Sequence, residues 1–388
     1  METSTSTTRT SDARPDNAAQ RRAEDILAEV TASGTENGVQ VAAWLGGEPV
    51  VDAWAGSADV AGERRPIGPD TLIPAWSMGK GVAAALVAVL VDRGMLAYDM
   101  PVAHYWPGFG AAGKDGITVG QVLGHAAGLS RLPADLTPER LIDQSAMADW
   151  LAARPPEWEP GTAFGYHAWT YGLLLAEILR RATGRTADDL LRAELAEPLG
   201  LGDDLLFHVP EHLDARVADC ADGGWAALLD RMPPDVPFFD AAPRGVLPLA
   251  ELANRADFRR AVLPANGVLT ARAAARMYAL LAGGGELDGV RRLSEATVKT
   301  ATTAAFSGVD RTLGGPGAMG FGFMVGDSGR RPVRPPGGFG HSGSGGTTAF
   351  ADPAHRFSFA VVKNRMTPPG LGARLADEIR TALGLATA

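Results

Sequence analysis

The ten apolar residues from Val82 to Val91 are the longest uncharged apolar run in the chain, and they constrain its fold more than any other segment. Such a run falls well short of the roughly 20 residues that span a bilayer, so it is expected to form a helix buried in a protein core. Directly ahead of it stands Ser77-Met-Gly-Lys80. Residues three apart share one face of a helix, so the hydroxyl and the amine are brought side by side. The serine falls where unpaired backbone N–H groups and the positive end of the helix dipole favour a developing oxyanion. The lysine is rooted in the buried run, and burial disfavours its ammonium form, which makes it a usable base. The spacing has a plainer reading as well, because a serine ahead of an apolar run is commonly just a helix cap. Taken alone, it leaves both readings open.

Composition narrows the partners. The chain has 388 residues, 46% of them hydrophobic, enough to bury a large core in two or three units or in one unit with an insertion. With 45 acidic and 36 basic residues the formal charge is −9, and no Lys/Arg block stands out, which argues against nucleic acid or an anionic membrane as partner. The single cysteine, Cys220, excludes an internal disulfide and a cysteine-based zinc cluster. The polar N-terminus lacks the apolar core of a secretion signal, so a cytoplasmic location is expected. No metal and no cofactor are expected. In His208-Val-Pro210-Glu211-His212 the proline interrupts the helix that an inverted zinc-protease motif requires. Gly338-Phe-Gly340-His-Ser-Gly343 follows a Pro-rich loop and leads into a strand, the reverse of a dinucleotide site. There is no Gly-x-Ser-x-Gly elbow, since Ala75 occupies the first glycine's place before Ser77, and this rules out an ordinary α/β-hydrolase.

Periodicity gives the organisation. Residues 1–17 are expected to be disordered. A helix over 17–32, a hairpin over 38–44 and 50–54, and the Ser77 helix follow. The middle reads as helical at 119–123, 141–153, 169–182 and 270–281, with an irregular stretch over 203–262. After a Gly/Pro-rich segment at 314–340, strands at 345–351 and 357–362 flank an Asp352-Pro353 turn, and a helix over 371–385 closes the chain. The expected fold class is α+β: an antiparallel sheet from both termini (18–75 and 300–388), flanked by terminal helices, with a mainly helical insertion over 76–299.

Three distant pieces share one order: Ser77-Met-Gly-Lys80, then Pro160-Gly161-Thr-Ala-Phe-Gly165-Tyr166-His-Ala, then Gly340-His341-Ser342-Gly343-Ser344-Gly345-Gly346. Together with Leu123-Gly-His125-Ala-Ala-Gly128-Leu129, over roughly residues 20–385, this order resembles serine hydrolases of the β-lactamase and penicillin-binding-protein superfamily. The resemblance is strongest to class C β-lactamases and family VIII carboxylesterases. It implies that Ser77 forms an acyl-enzyme, with Lys80 and Tyr166 sharing the proton traffic. A phenol beside an ammonium is stabilised as phenolate, so the pKa of Tyr166 is expected to fall. The backbone N–H groups of Ser77 and Ser344 would form the oxyanion hole. His341-Ser342-Gly343 aligns with the Lys-Thr-Gly strand of the lactamases, with His341 as an electrostatic, substrate-positioning or merely structural group. Tyr166-His167-Ala168 lacks the asparagine of Tyr-x-Asn, and His341 replaces a lysine that helps to hold a substrate carboxylate. Both departures point from anionic lactams towards esters. Trp76, beside the serine, reads as pocket wall or core, and His125 as structural.

A carboxylesterase on small-molecule esters is therefore expected. A transacylase passing the acyl group to an alcohol or amine acceptor is the nearest alternative, and β-lactamase or D-amino peptidase activity ranks below it. The non-enzymatic alternative is an inert binding module of the same fold. The stretch 225–240, with Trp225 and Phe239, and Pro264-Ala-Asn266-Gly267 are candidates for the wall of a substrate or acceptor pocket. Oligomeric state is not legible in the sequence.

Overall fold

In the computed structural model the described residues are 14–60, 65–261, 263–326 and 334–386. Helix α1 (Ala18–Ala32) starts where the Asn17 side chain accepts a hydrogen bond from the Gln20 N–H, so much of the tail expected to be disordered lies outside the described residues, while Asn17 is an ordered cap. The hairpin β1 (Gly38–Leu45) and β2 (Glu48–Gly56) leads through β3 (Ile73–Trp76) into α2 (Met78–Asp92). The helical middle includes α3 (Thr170–Thr183), the two-residue β4 (Leu205–Leu206) and β5 (Gly267–Leu269). Helix α4 (Ala271–Ala282) precedes six strands: β6 (Phe306–Val309), β7 (Pro316–Met319), β8 (Met324–Val325), β9 (Phe339–Gly343), β10 (Thr347–Asp352) and β11 (Phe357–Lys363). Helix α5 (Leu371–Ala382) ends the order.

The eight-stranded antiparallel sheet runs β2-β1-β11-β10-β9-β8-β7-β6, so the first hairpin is joined directly to the last strands of the chain. Strand alternation decides which side chains go where. Val39, Val41 and Ala43 of β1 face Ile26, Leu27 and Val30 of α1 and Leu375 and Ile379 of α5. Full burial of Ile26, at 0% exposure, stabilises this layer by about 2 kcal/mol. Ala42 and Trp44 point to the opposite face, in the core shared with α2. Helix α4, expected inside the helical insertion, instead lies against β1, β10 and β11, where the Ser358 hydroxyl donates to the Ala275 carbonyl at 2.7 Å.

The C-terminal strands also differ from expectation. The 340–351 segment is a hairpin: β9 and β10 pair with Gly343 opposite Thr347, across a turn that puts Gly345 and Gly346 at φ 75° and 92°. A side chain at Gly345 would collide with Met366. The Gly/Pro-rich segment contains β7 and β8, while residues 327–333 lie outside the described set. The irregular 203–262 stretch carries several short helices, among them Trp225–Asp230 and Phe238–Ala241. Among the described residues no helix is long and apolar enough to cross a membrane.

Candidate active site

Ser77 occupies the N-cap position of α2, yet its side chain makes no capping hydrogen bond. Its Oγ instead lies 2.9 Å from Nζ of Lys80. That amine also reaches the Ala265 carbonyl at 3.3 Å, and its residue is fully buried. Burial holds the Lys80 amine well below its usual pKa of 10.5. The two glycines flanking Lys80 explain how a helix start becomes so enclosed. A Cβ on Gly79 would stand 2.4 Å from the Gly267 nitrogen, and one on Gly81 would stand 2.1 Å from the Tyr278 hydroxyl and 3.3 Å from His341 Cβ. Glycine costs about 1 kcal/mol in a helix, and here it admits β5 on one side and β9 on the other. Just ahead, Trp76 has φ 52°, a strained value for a bulky residue, where the β3–β5 register shifts.

Tyr166 comes from the loop before α3. Its N–H donates to Asp310 Oδ1 at 3.0 Å, and the same oxygen accepts from Thr312 and Leu313 at 2.8 and 2.9 Å. The Ser77 side chain acts on the phenol, and Lys80 Nζ sits 5.0 Å from its ring centre. Burial pushes the pKa of Tyr166 up and outweighs the influence of Ser77, which pulls it down. The expected fall is therefore corrected: burial of the phenol itself dominates, and its neighbours do not offset it. The loop is pinned from below. The Gly165 N–H donates to the His125 carbonyl at 3.0 Å, and the His167 N–H donates to His125 Nδ1 at 3.1 Å. His167 Nδ1 meets the Gly165 carbonyl at 2.6 Å, so its Nε2 is free to accept from the Leu129 N–H at 3.1 Å.

Strand β9 approaches Ser77 closely, because a Cβ on Gly343 would lie 2.1 Å from the Ala75 carbonyl oxygen. The Thr347 hydroxyl donates to that same carbonyl at 3.0 Å. Ser77, Tyr166, Ser342, Gly343 and Ser344 thereby share one cavity of about 230 Å³. Trp76 and Trp225 form part of its wall.

Three residues considered for substrate contact do not line it. His341 is fully buried, its Nδ1 donating to the Ser342 carbonyl at 2.8 Å, and burial lowers its pKa to about 3. It is a neutral ring packed between the strand and α2, its centre 6.2 Å from that of the Tyr166 ring, and it offers no cation to a substrate. Phe239 gives way to its neighbour Phe238, and Asn266 is buried beside Ala265, which does line the cavity. Within the 225–240 stretch the cavity is lined by Leu229, Met232 and Phe238 besides Trp225, whereas Trp169, Leu313 and Met324 were passed over in the sequence. Trp169 alone carried a signal, three residues after Tyr166 at the start of α3. Among the described residues no group of three His, Cys, Asp or Glu gathers as a metal site.

Comparison with known proteins agrees with this geometry. The family model described as Beta-lactamase matches residues 23–384. The protein named Esterase/beta-lactamase LipL of Mycobacterium tuberculosis (strain ATCC 25618 / H37Rv) is 38% identical over 356 residues, covering 86% of this chain and 78% of that protein. The crystal structure of a family VIII carboxylesterase superposes with a TM-score of 0.85 at 34% identity, covering 95% of this chain and 99% of its own. A penicillin-binding protein homolog from Caulobacter crescentus gives 0.81 at 36% identity, covering 96% and 100%. With the family model spanning nearly the whole sequence around the enclosed Ser77–Lys80 pair, the chain belongs to the beta-lactamase family.

Proposed function

We propose that the protein is a serine carboxylesterase that forms an acyl-enzyme at Ser77 and releases it to water. The observation that carries this reading is the 2.9 Å contact between Ser77 Oγ and the buried amine of Lys80. The uncharged amine takes the serine proton as Oγ attacks the ester carbonyl. The carbonyl oxygen, now negative, is received by the backbone N–H groups of Ser77 and Ser344, a stabilisation of a few kcal/mol. Collapse of the tetrahedral intermediate expels an alkoxide, which the neutral Tyr166 hydroxyl protonates. The proton on Lys80 then returns to Tyr166, so the serine proton leaves on the alcohol and the site is reset. Water repeats the sequence on the acyl-enzyme, with Lys80 again as base. The neutral, buried His341 supports esters over anionic lactams, since it supplies no charge to hold a carboxylate.

Intact-mass measurement after treatment with a fluorophosphonate tests the nucleophile. One phosphonyl adduct is expected on the wild type and none on Ser77→Ala. A folded wild-type protein that takes up no adduct would overturn the assignment.

The acid role of Tyr166 has its own signature. Tyr166→Phe is expected to slow acylation by alkyl esters about a hundredfold. With 4-nitrophenyl acetate, whose leaving group needs no proton, the same variant should lose only a few-fold in burst rate. Equal losses on both substrates would remove Tyr166 from leaving-group protonation.

A further inference from the structure

We infer that the part of the ester that fills the cavity is an uncharged aryl group, and that carboxylated counterparts are rejected. The inference rests on the esterase reading and adds the substrate class. Four of the walls are rings, Trp76, Trp169, Trp225 and Phe238, and Leu229 and Met232 fill between them. No Asp, Glu, Lys, Arg or His lines the cavity among the described residues.

The indoles offer a ligand no hydrogen bond. Trp169 Nε1 donates to the Val246 carbonyl at 3.1 Å and Trp225 Nε1 to the Pro248 carbonyl at 3.0 Å. Trp76 Nε1 is buried out of reach, and its ring is wedged against Trp169 and Phe258 at centroid distances of 6.3 and 6.2 Å. The polar groups of the cavity are gathered at the reacting end, on Ser77, Tyr166 and the 342–344 strand end. A carboxylate pushed among the rings would lose its water with nothing in return, whereas a flat apolar ring gains stacked and edge contacts.

Size sets the upper limit. A cavity of roughly 150 Å³ accommodates benzene. The 230 Å³ here therefore holds one aryl ring with a few further atoms within its walls. The ring can belong to the acyl or the alkoxy half of the ester, since both meet at Ser77.

Leu313 gives a handle on the charge selectivity. It lines the cavity yet is 49% exposed, and its N–H is held by the Asp310 oxygen that also anchors Tyr166. A cation placed there reaches the cavity rim at little cost to folding.

The test compares kcat/KM in two arms. 4-nitrophenyl phenylacetate against 4-nitrophenyl acetate varies the acyl half, and benzyl acetate against ethyl acetate varies the alkoxy half, each aryl ester also being made with a ring carboxylate. In one arm the neutral aryl ester is expected to exceed its small counterpart by about tenfold and its carboxylated analogue by about a hundredfold. Leu313→Lys should narrow the neutral-to-carboxylated ratio by about tenfold in that arm. Ligand preference is also read without turnover, through quenching of tryptophan fluorescence in Ser77→Ala by neutral and carboxylated benzyl acetate and phenylacetate methyl esters. This keeps the selectivity measurable whatever becomes of the acyl-enzyme. Neutral and carboxylated ligands within about threefold of each other in both arms, or a ratio untouched by Leu313→Lys, would overturn the inference.

Discussion

Lys80→Met protein is expected to fold normally and to lose about a thousandfold in kcat/KM on 4-nitrophenyl acetate, the range that a positioned general base supplies. Methionine keeps the length of the side chain but not the amine, so Ser77 Oγ loses its neighbour at 2.9 Å and the Ala265 carbonyl loses its donor at 3.3 Å. The buried helix has no other use for a polar group there, and removing one costs little or stabilises. Lys80→Arg should not rescue activity, because a guanidinium stays protonated and cannot accept a proton. The wild-type pH profile carries the same signature with a definite sign. The active amine is the unprotonated form, so kcat/KM should rise with pH through the depressed pKa of Lys80 and fall on its acid side. His167 and His341, with pKa values lowered to about 4 and about 3, are already neutral above about pH 5 and leave an acid limb at higher pH to Lys80. Activity of Lys80→Met within about tenfold of wild type would take Lys80 out of the mechanism.

The parts of this architecture legible in the sequence are those in which one local period determines burial. Val39, Val41 and Ala43 alternate with Ala42 and Trp44, and the hairpin followed. Helix α4 was found from its own stripe, but a stripe says that a face is buried and not what buries it, so its place against β1, β10 and β11 stayed hidden. Ser77 and Lys80 stood out by their spacing ahead of the apolar run, and Tyr166 by the Pro-Gly turn before it and the shared order of the three motifs. The cavity wall was legible only in part, since loops assemble it, and on the short 238–241 helix one residue separates the lining Phe238 from Phe239. The positioning and structural readings of His341 could not be separated without the packing that turns its side chain onto α2, where a Cβ on Gly81 would stand 3.3 Å from His341 Cβ. The direction of the Tyr166 shift needed the burial of the phenol to be weighed against the charge expected on Lys80.

Those buried imidazoles make acid lability the second large effect expected of this protein. His125, His167 and His341 are fully buried, and desolvation is the main cause of each lowered pKa: well below normal for His125, about 4 for His167 and about 3 for His341. Any charge on Lys80 further disfavours protonation of all three, and His125 is also opposed by His167 and His341. The unfolded chain titrates these rings near their ordinary value of about 6.5. Below that pH the unfolded state therefore binds more protons than the folded one, and stability falls as pH falls. His167 and His341 should each withdraw roughly 1 to 2 kcal/mol between about pH 6.5 and pH 5, and His125 adds to the loss in the same direction. Against a total of about 5–15 kcal/mol, that is a large share of the stability. Urea unfolding followed across this window should show a falling midpoint. In His341→Phe, which fills the same buried space without a titrating nitrogen, the loss should shrink by the share of one histidine. A wild-type midpoint that stays flat from about pH 6.5 to pH 5 would mean that the rings take up protons without unfolding, and the enclosed, uncharged surroundings described for Lys80 and Tyr166 would have to be abandoned with them.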